Sequence, residues 1–372
     1  MTFTVADFIE RFERFAPPTL AVSGDPIGLH FGSRQQAISK ILVTLDVRPE
    51  VVDEAIDLGV DFIFAHHPPI FRPASRLDQD QPQQAMYNKI IQHGIAVYAA
   101  HTNLDAVAGG MNDWLSDLYE IRDTEILNSH TAIPYYRVTT YVPTDDLAAV
   151  KAAIFASGIT DSENYANVAY QHLGIGTFKP QAAAQPARGQ LDQQEKVNEV
   201  AFSFVCSKFD LNRALATIQA SHPYEEAVTD VVTLENMAKP VGIGRVGNLE
   251  KAMPLADYAQ LIKEKSNLSG LRLVVADPDR PVKRVAVLGG AGEKYYQDAL
   301  AKGADTFITG DVYYHTAHDM QAAGLNVIDP GHHFESICKP HLLDLFKNWQ
   351  AEDGWPVEIF MSQLNTDPFS FV

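Results

Sequence analysis

The chain is expected to be an α/β protein interrupted by a smaller α+β unit, and three observations say so. Short continuous apolar runs alternate with helix-length amphipathic segments near the N-terminus. The same rhythm returns near the C-terminus, and between the two lies a pair of strand–helix–strand units with alternating strands. The expected organisation is a discontinuous, two-lobed α/β host formed by residues 1–129 and 237–372. A ferredoxin-like α+β domain over 130–236 is inserted in it.

Taken in order, Thr4 and Asp7 form a capping box that opens a first helix, whose Phe8, Ile9, Phe12 and Phe15 recur at helical spacing. The strands ILVTLDV (41–47), DFIFA (61–65) and IAVYAA (95–100) follow, with helices between them. Their apolar residues are consecutive instead of alternating, the mark of a parallel sheet covered on both faces. In the C-terminal half, RVAVLGG (284–290), DTFITG (305–310) and NVIDP (326–330) repeat the pattern. The middle segment carries the strand YYRVTTYVP (135–143) and the helix DLAAVKAAIFASG, then VAFSFVCS (200–207), the helix FDLNRALATIQASHP and the strand EAVTDVVTLE. Residues 179–196 are polar and broken by Pro186 and Gly189, and read as an exposed loop. GIGTFKP (174–180) reads as a turn or hairpin tip in preference to an anion site.

Composition narrows the function. The 372 residues carry 29 Lys and Arg against 47 Asp and Glu, a net charge of −18, so attraction to nucleic-acid phosphates or anionic lipid is not expected. The two cysteines, Cys206 and Cys338, lack CxxC spacing and support neither a disulfide framework nor a thiolate zinc site. The N-terminus has no basic segment followed by an apolar one, and no apolar run approaches the length of a membrane span. A cytoplasmic location is the expectation.

In an open α/β sheet, ligands bind beyond the carboxyl ends of the strands. Those ends carry Asp46, then His66 and His67, His101 and Asp105, Asp311, and finally His332, His333 and Glu335. Pro68 and Pro69 stiffen the loop after the histidine pair, which suits a ligand, although a histidine pair can also merely end a strand. His332 and Glu335 stand three apart on a first helical turn and share a face, whereas His333 projects elsewhere. The alternative to ligation is an ordinary carboxylate at a helix start for Glu335 and a capping carboxylate for Asp105; ligation is the preferred reading of both. Asp46 and Asp311 either orient a ligand histidine or cap the following helix. The set His66, His67, Asp105, His332 and Glu335 is too large for one catalytic zinc with an open position. Two divalent ions fit better, with Glu335 as the bridge, in the arrangement that activates a water nucleophile. Imidazole and carboxylate donors suit zinc, iron, manganese or nickel and do not choose among them.

Four motifs, HHPPIFRP, HTNLDAVAGGMNDWL, ITGDVYYHTAHD and DPGHHFES, occur in one order along the chain. In these the chain resembles the NIF-three-like dinuclear metal-binding proteins, GTP cyclohydrolase I type 2 homologues. The resemblance extends to the long bacterial form, whose insert carries GTFKP and HPYEE, here at 176–180 and 222–226. It implies metal ligation by His66, His67, Asp105, His332 and Glu335, with Glu335 touching both ions. It further implies a hexameric ring with metal sites facing an internal cavity, and an insert similar to PII or CutA-like domains. Where members often have Trp-Asp-Asn near the N-terminus, this chain reads GDPIGL (24–29), which leaves the role of Asp25 open.

Two functions are consistent with this reading. One is a metal-dependent hydrolase acting on a nucleotide or small phosphorylated molecule, with His101, His315 or another nearby histidine carrying the proton. The other is a non-catalytic metal-binding or regulatory protein whose insert senses a small molecule or covers the cavity.

Overall fold

A computed structural model describes residues 2–162 and 164–372, and the chain divides into two compact units. The first comprises 1–131 and 241–372, the second 132–240.

The first unit contains two sheets. The five-stranded sheet is built from β1 (Gly28–Phe31), β2 (Lys40–Thr44), β3 (Phe62–Ala65), β4 (Ala96–Ala99) and, from the far end of the chain, a strand over Glu358–Met361. Its order is β1, β4, β3, β2 and then that last strand, all parallel except β1. Every residue of β3 and β4 is buried, which explains their uninterrupted apolar sequence. Successive side chains serve opposite faces. Phe62 and Phe64 meet the helix Val5–Phe15: Phe8 lies 5.0 Å from Phe62, and Phe12 lies 4.7 Å from Phe64, between ring centres. Phe346 of the helix Cys338–Asp353 closes the same cluster, 4.9 Å from Phe8. On the other face, Leu42, Ile63 and Val97 pack against Val51, Val52 and Ala55 of Pro49–Asp57, and against Met86 and Ile90 of Pro82–Gln92. The capping box at Thr4 and Asp7 is complete, with Thr4 N donating to the Asp7 carboxylate at 2.8 Å and Asp7 N to the Thr4 hydroxyl at 3.4 Å.

The second sheet of this unit has six strands. They are β5 (Arg122–Ile133), a long strand over Lys239–Met253, a short one over Arg272–Val274, and the three expected C-terminal strands Val282–Val287, Thr306–Ile308 and Asn326–Asp329. Those three are mutually parallel, and antiparallel strands flank them on both sides. The apolar runs therefore mark the parallel centre of each sheet, while the sheets themselves extend further into antiparallel strands.

The second unit is a four-stranded antiparallel sheet of β6 (Tyr135–Pro143), β7 (Tyr170–Phe178), β8 (Glu195–Ser207) and β9 (Thr229–Thr233), in the order β7, β8, β6, β9. The helices Leu147–Ala156 and Leu211–Ser221 bury Ile154, Ala214 and Ile218 against Val138, Phe202 and Phe204. One local expectation fails here. Residues 174–178 form the end of strand β7, not a turn, each paired with a residue of β8 from Glu199 to Glu195. The two glycines tolerate the ladder because β7 lies at the sheet edge, where one neighbouring strand suffices.

Candidate metal centre

Five strand ends from the two sheets of the first unit converge. β3 delivers His66 and His67, while β4 delivers His101 and then Asp105 on the short helix Thr102–Ala106. The strand Asn326–Asp329 leads through Gly331, at φ +78°, into the 3-10 turn His332–Ile337. With three residues per turn, His332 and Glu335 stand one above the other. Both Glu335 and His66 are buried.

Glu335 is the centre of the arrangement. Its Oε1 lies 3.6 Å from His66 Nε2, which is in turn 3.7 Å from Asp105 Oδ1. Its Oε2 lies 3.1 Å from His67 Nε2 and 3.3 Å from His332 Nε2. The carboxylate thus faces two separate donor sets, His66 with Asp105 and His67 with His332, each compact enough to hold a metal ion. Tetrahedral donors about 2.1 Å from an ion stand roughly 3.4 Å from each other, close to these separations.

Each histidine is held by its other nitrogen. His66 Nδ1 donates to the carbonyl of Ala100 at 2.8 Å, His67 Nδ1 to Asp46 at 2.6 Å, and His332 Nδ1 to Asp311 at 2.7 Å. These bonds direct every Nε2 inward. Asp311 sits at φ +57°, a conformation Asp tolerates better than most residues, and its turn brings the carboxylate to His332. Asp46 is itself held by the Thr366 hydroxyl. For Asp46 and Asp311, orientation of a histidine is therefore the reading that applies.

Two observations fit this site to a cation. His66 Nε2 and Asp105 Oδ1 are buried without any hydrogen-bond partner, a state that is costly unless something positive lies between them. Asp105 is accordingly not a capping carboxylate. Gly289 and Gly290 form a cradle, since a Cβ on Gly289 would stand 2.6 Å from Glu335 Oε1, and one on Gly290 3.2 Å from His332 Nε2. Only a residue without a side chain leaves that space clear.

Electrostatics agree. Burial opposes a charge on His67, but the carboxylates of Asp46 and Glu335 overcome it and raise its pKa to about 10. Burial likewise opposes the His332 charge, and Glu335 and Asp311 raise its pKa to about 9. Burial together with the charge of Glu335 lifts Asp105 to about 6, against the pull of His66. Although burial disfavours the Glu335 charge, the three imidazoles hold that carboxyl well below its ordinary value. The raised imidazole values reflect the concentrated negative charge of the carboxylates, which a bound cation would offset.

His101 lies beside the cluster, its ring 5.3 Å from that of His66, and its Nδ1 donates to Asp25 at 2.8 Å. Asp25 also accepts from Thr102 N at 2.9 Å, so GDPIGL supplies the carboxylate that orients His101. His333 belongs to neither donor set, and His315 is exposed on the helix Tyr314–Ala322. Sequence reasoning passed over Gly289, Gly290 and Thr366. The pair of glycines directly after a strand was the available signal for the first two; Thr366 gave none.

Comparison with known proteins places this arrangement in context. A family model described as Duf34/NIF3 (NGG1p interacting factor 3) matches residues 3–368. A Bacillus subtilis protein named GTP cyclohydrolase 1 type 2 homolog is 42% identical over 364 residues, covering 98% of this chain and 97% of that one. A Listeria innocua protein of the same name is 39% identical, covering 98% of both. Among solved structures, a Bacillus cereus protein related to NIF3 superposes with a TM-score of 0.94 at 37% identity over the full length of both chains.

Proposed function

The chain belongs to the Duf34/NIF3 family, and from that membership and the geometry at Glu335 we propose a dinuclear metal-binding protein that hydrolyses a nucleotide or another small phosphorylated substrate. The observation that carries the proposal is the division of labour within one carboxylate, Oε1 toward His66 and Asp105 and Oε2 toward His67 and His332. Two divalent ions of the zinc, iron, manganese or nickel class, when bound there, supply Lewis acidity to water and to the electrophile. The rest falls to the protein. Asp46, Asp311 and the Ala100 carbonyl fix the imidazoles so that Nε2 is the free nitrogen. His101, oriented by Asp25, holds or passes a proton at its Nε2. The printed name of the relatives, GTP cyclohydrolase 1 type 2 homolog, supports a nucleotide as the first substrate class to try.

The proposal includes the wider architecture. The strand order of the second unit, with its two helices packed on one face, supports a ferredoxin-like insert, the resemblance supports a hexamer, and the sparse cysteines without CxxC spacing support a cytoplasmic location.

The test is metal analysis of protein purified without added metal or chelator, followed by a panel of nucleoside triphosphates and phosphoesters. Two equivalents of metal per chain, with turnover that disappears in Glu335→Ala while the fold persists, is the expected result. A metal-loaded protein that turns over nothing in the panel overturns the hydrolase and leaves the regulatory reading.

A further inference from the structure

The two motifs of the insert that the metal centre does not use meet around one cavity. GTFKP ends strand β7, HPYEE follows the helix Leu211–Ser221, and both line a cavity of about 990 Å³ in the second unit. This lies near the upper end of the range for small-molecule sites. Its floor is the sheet face opposite the helices, where Glu199 rises from β8 among the small residues Gly174, Gly176 and Ala201.

Glu199 is only 8% exposed. Its Oε1 accepts a hydrogen bond from the Tyr224 hydroxyl at 3.0 Å, and among the described residues no donor reaches its Oε2. A Cβ at residue 176 would come within 2.1 Å of that oxygen, so Gly176 is what allows the carboxylate to lie there. Tyr224 is held in place by His222, whose Nδ1 accepts the Tyr224 N–H at 3.0 Å while Nε2 bonds the Tyr141 carbonyl at 3.0 Å. Burial, and then Glu199 itself, push the Tyr224 phenol above its ordinary pKa, so it remains the donor.

The cations nearby are already engaged. Lys179 pairs with Asp192 at 3.4 Å, and Arg188 with Asp146 at 2.6 Å. The Glu199 carboxylate lines the cavity with one neutral hydroxyl as its donor on Oε1, which leaves Oε2 open to a ligand. The Phe178 and Tyr224 rings, 5.6 Å apart, offer apolar and cation-binding surface beside it.

We propose that the insert carries a binding site of its own, for a small molecule that presents a protonated amine to Glu199 and rests its apolar body against Phe178 and Tyr224. The site is independent of the metal centre and of the hydrolase reading.

Three probes with one body and different heads test this: 2-phenylethylamine, 2-phenylethanol and phenylacetate, titrated into the full chain by calorimetry and ligand-observed NMR. The amine binds at least tenfold more tightly than the alcohol, and phenylacetate does not saturate. Glu199→Gln reduces the amine to the affinity of the alcohol and leaves the alcohol unchanged, while Tyr224→Phe weakens the amine several-fold. Equal binding of amine and alcohol, preference for phenylacetate, or no saturable binding by any probe overturns the proposal. So does an amine preference that survives Glu199→Gln. Should that variant fail to fold, Tyr224→Phe and the comparison in the unaltered protein decide.

Discussion

Replacing Gly289 with alanine is the most direct probe of the proposed bridge. A Cβ at this position would stand 2.6 Å from Glu335 Oε1, whereas ordinary contact begins at 3.4 Å. The carboxylate must therefore withdraw by about 0.8 Å, several times the roughly 0.2 Å over which metal–ligand distances are tolerant. The backbone is not the issue, because Gly289 lies outside the left-handed region and its N–H keeps its bond to Asn112 Oδ1. Overpacking costs about 1–3 kcal/mol of stability, which a chain of this size can absorb. Oε1 serves His66 and Asp105, so that half of the centre is expected to lose affinity by about 10- to 100-fold, comparable to the loss when groups supporting a metal ligand are disturbed. The half served by Oε2 changes less. Competition titration against a chromophoric chelator, with circular dichroism as the folding control, reads both stoichiometry and affinity. Two equivalents bound with unaltered affinity in a folded Gly289→Ala protein would refute the assignment of Oε1 to a metal.

Other consequences are equally checkable. Asp46→Asn and Asp311→Asn should each weaken metal binding by about 10- to 100-fold through the histidine they orient, measured by the same titration. Glu335→Gln, which keeps the shape and removes the charge, should leave at most one tightly held equivalent by elemental analysis; retention of two argues against the bridge. Phe8→Ala should destabilise the protein by about 3–5 kcal/mol in urea denaturation, because Phe8 is fully buried among Phe62, Phe64 and Phe346. Light scattering should return about six times the 41.0 kDa chain mass if the hexamer is right, and a monomeric mass removes it.

What could be read in advance, and what could not, divides along physical lines. The buried strands β3 and β4 announced themselves because burial on both faces demands unbroken apolar sequence. The histidines and carboxylates were legible because the topology sends them all to the carboxyl ends of strands. Strand β7 was hidden, since Gly174 and Gly176 carry the ordinary marks of a turn and only pairing with β8 makes them strand residues. The roles of Asp25 and Thr366 were hidden for another reason. Each bonds a partner far away in sequence, His101 and Asp46 respectively, and no local pattern records such a meeting. The cradle at Gly289 and Gly290 required knowing what comes close, which glycine by itself does not disclose.

The hydroxyl of Thr366 clasps Asp46, which in turn steers His67, so a residue 320 positions away from Asp46 acts as a latch on one half of the candidate centre. Removing the Thr366 hydroxyl would therefore loosen the proposed metal site through that clasp.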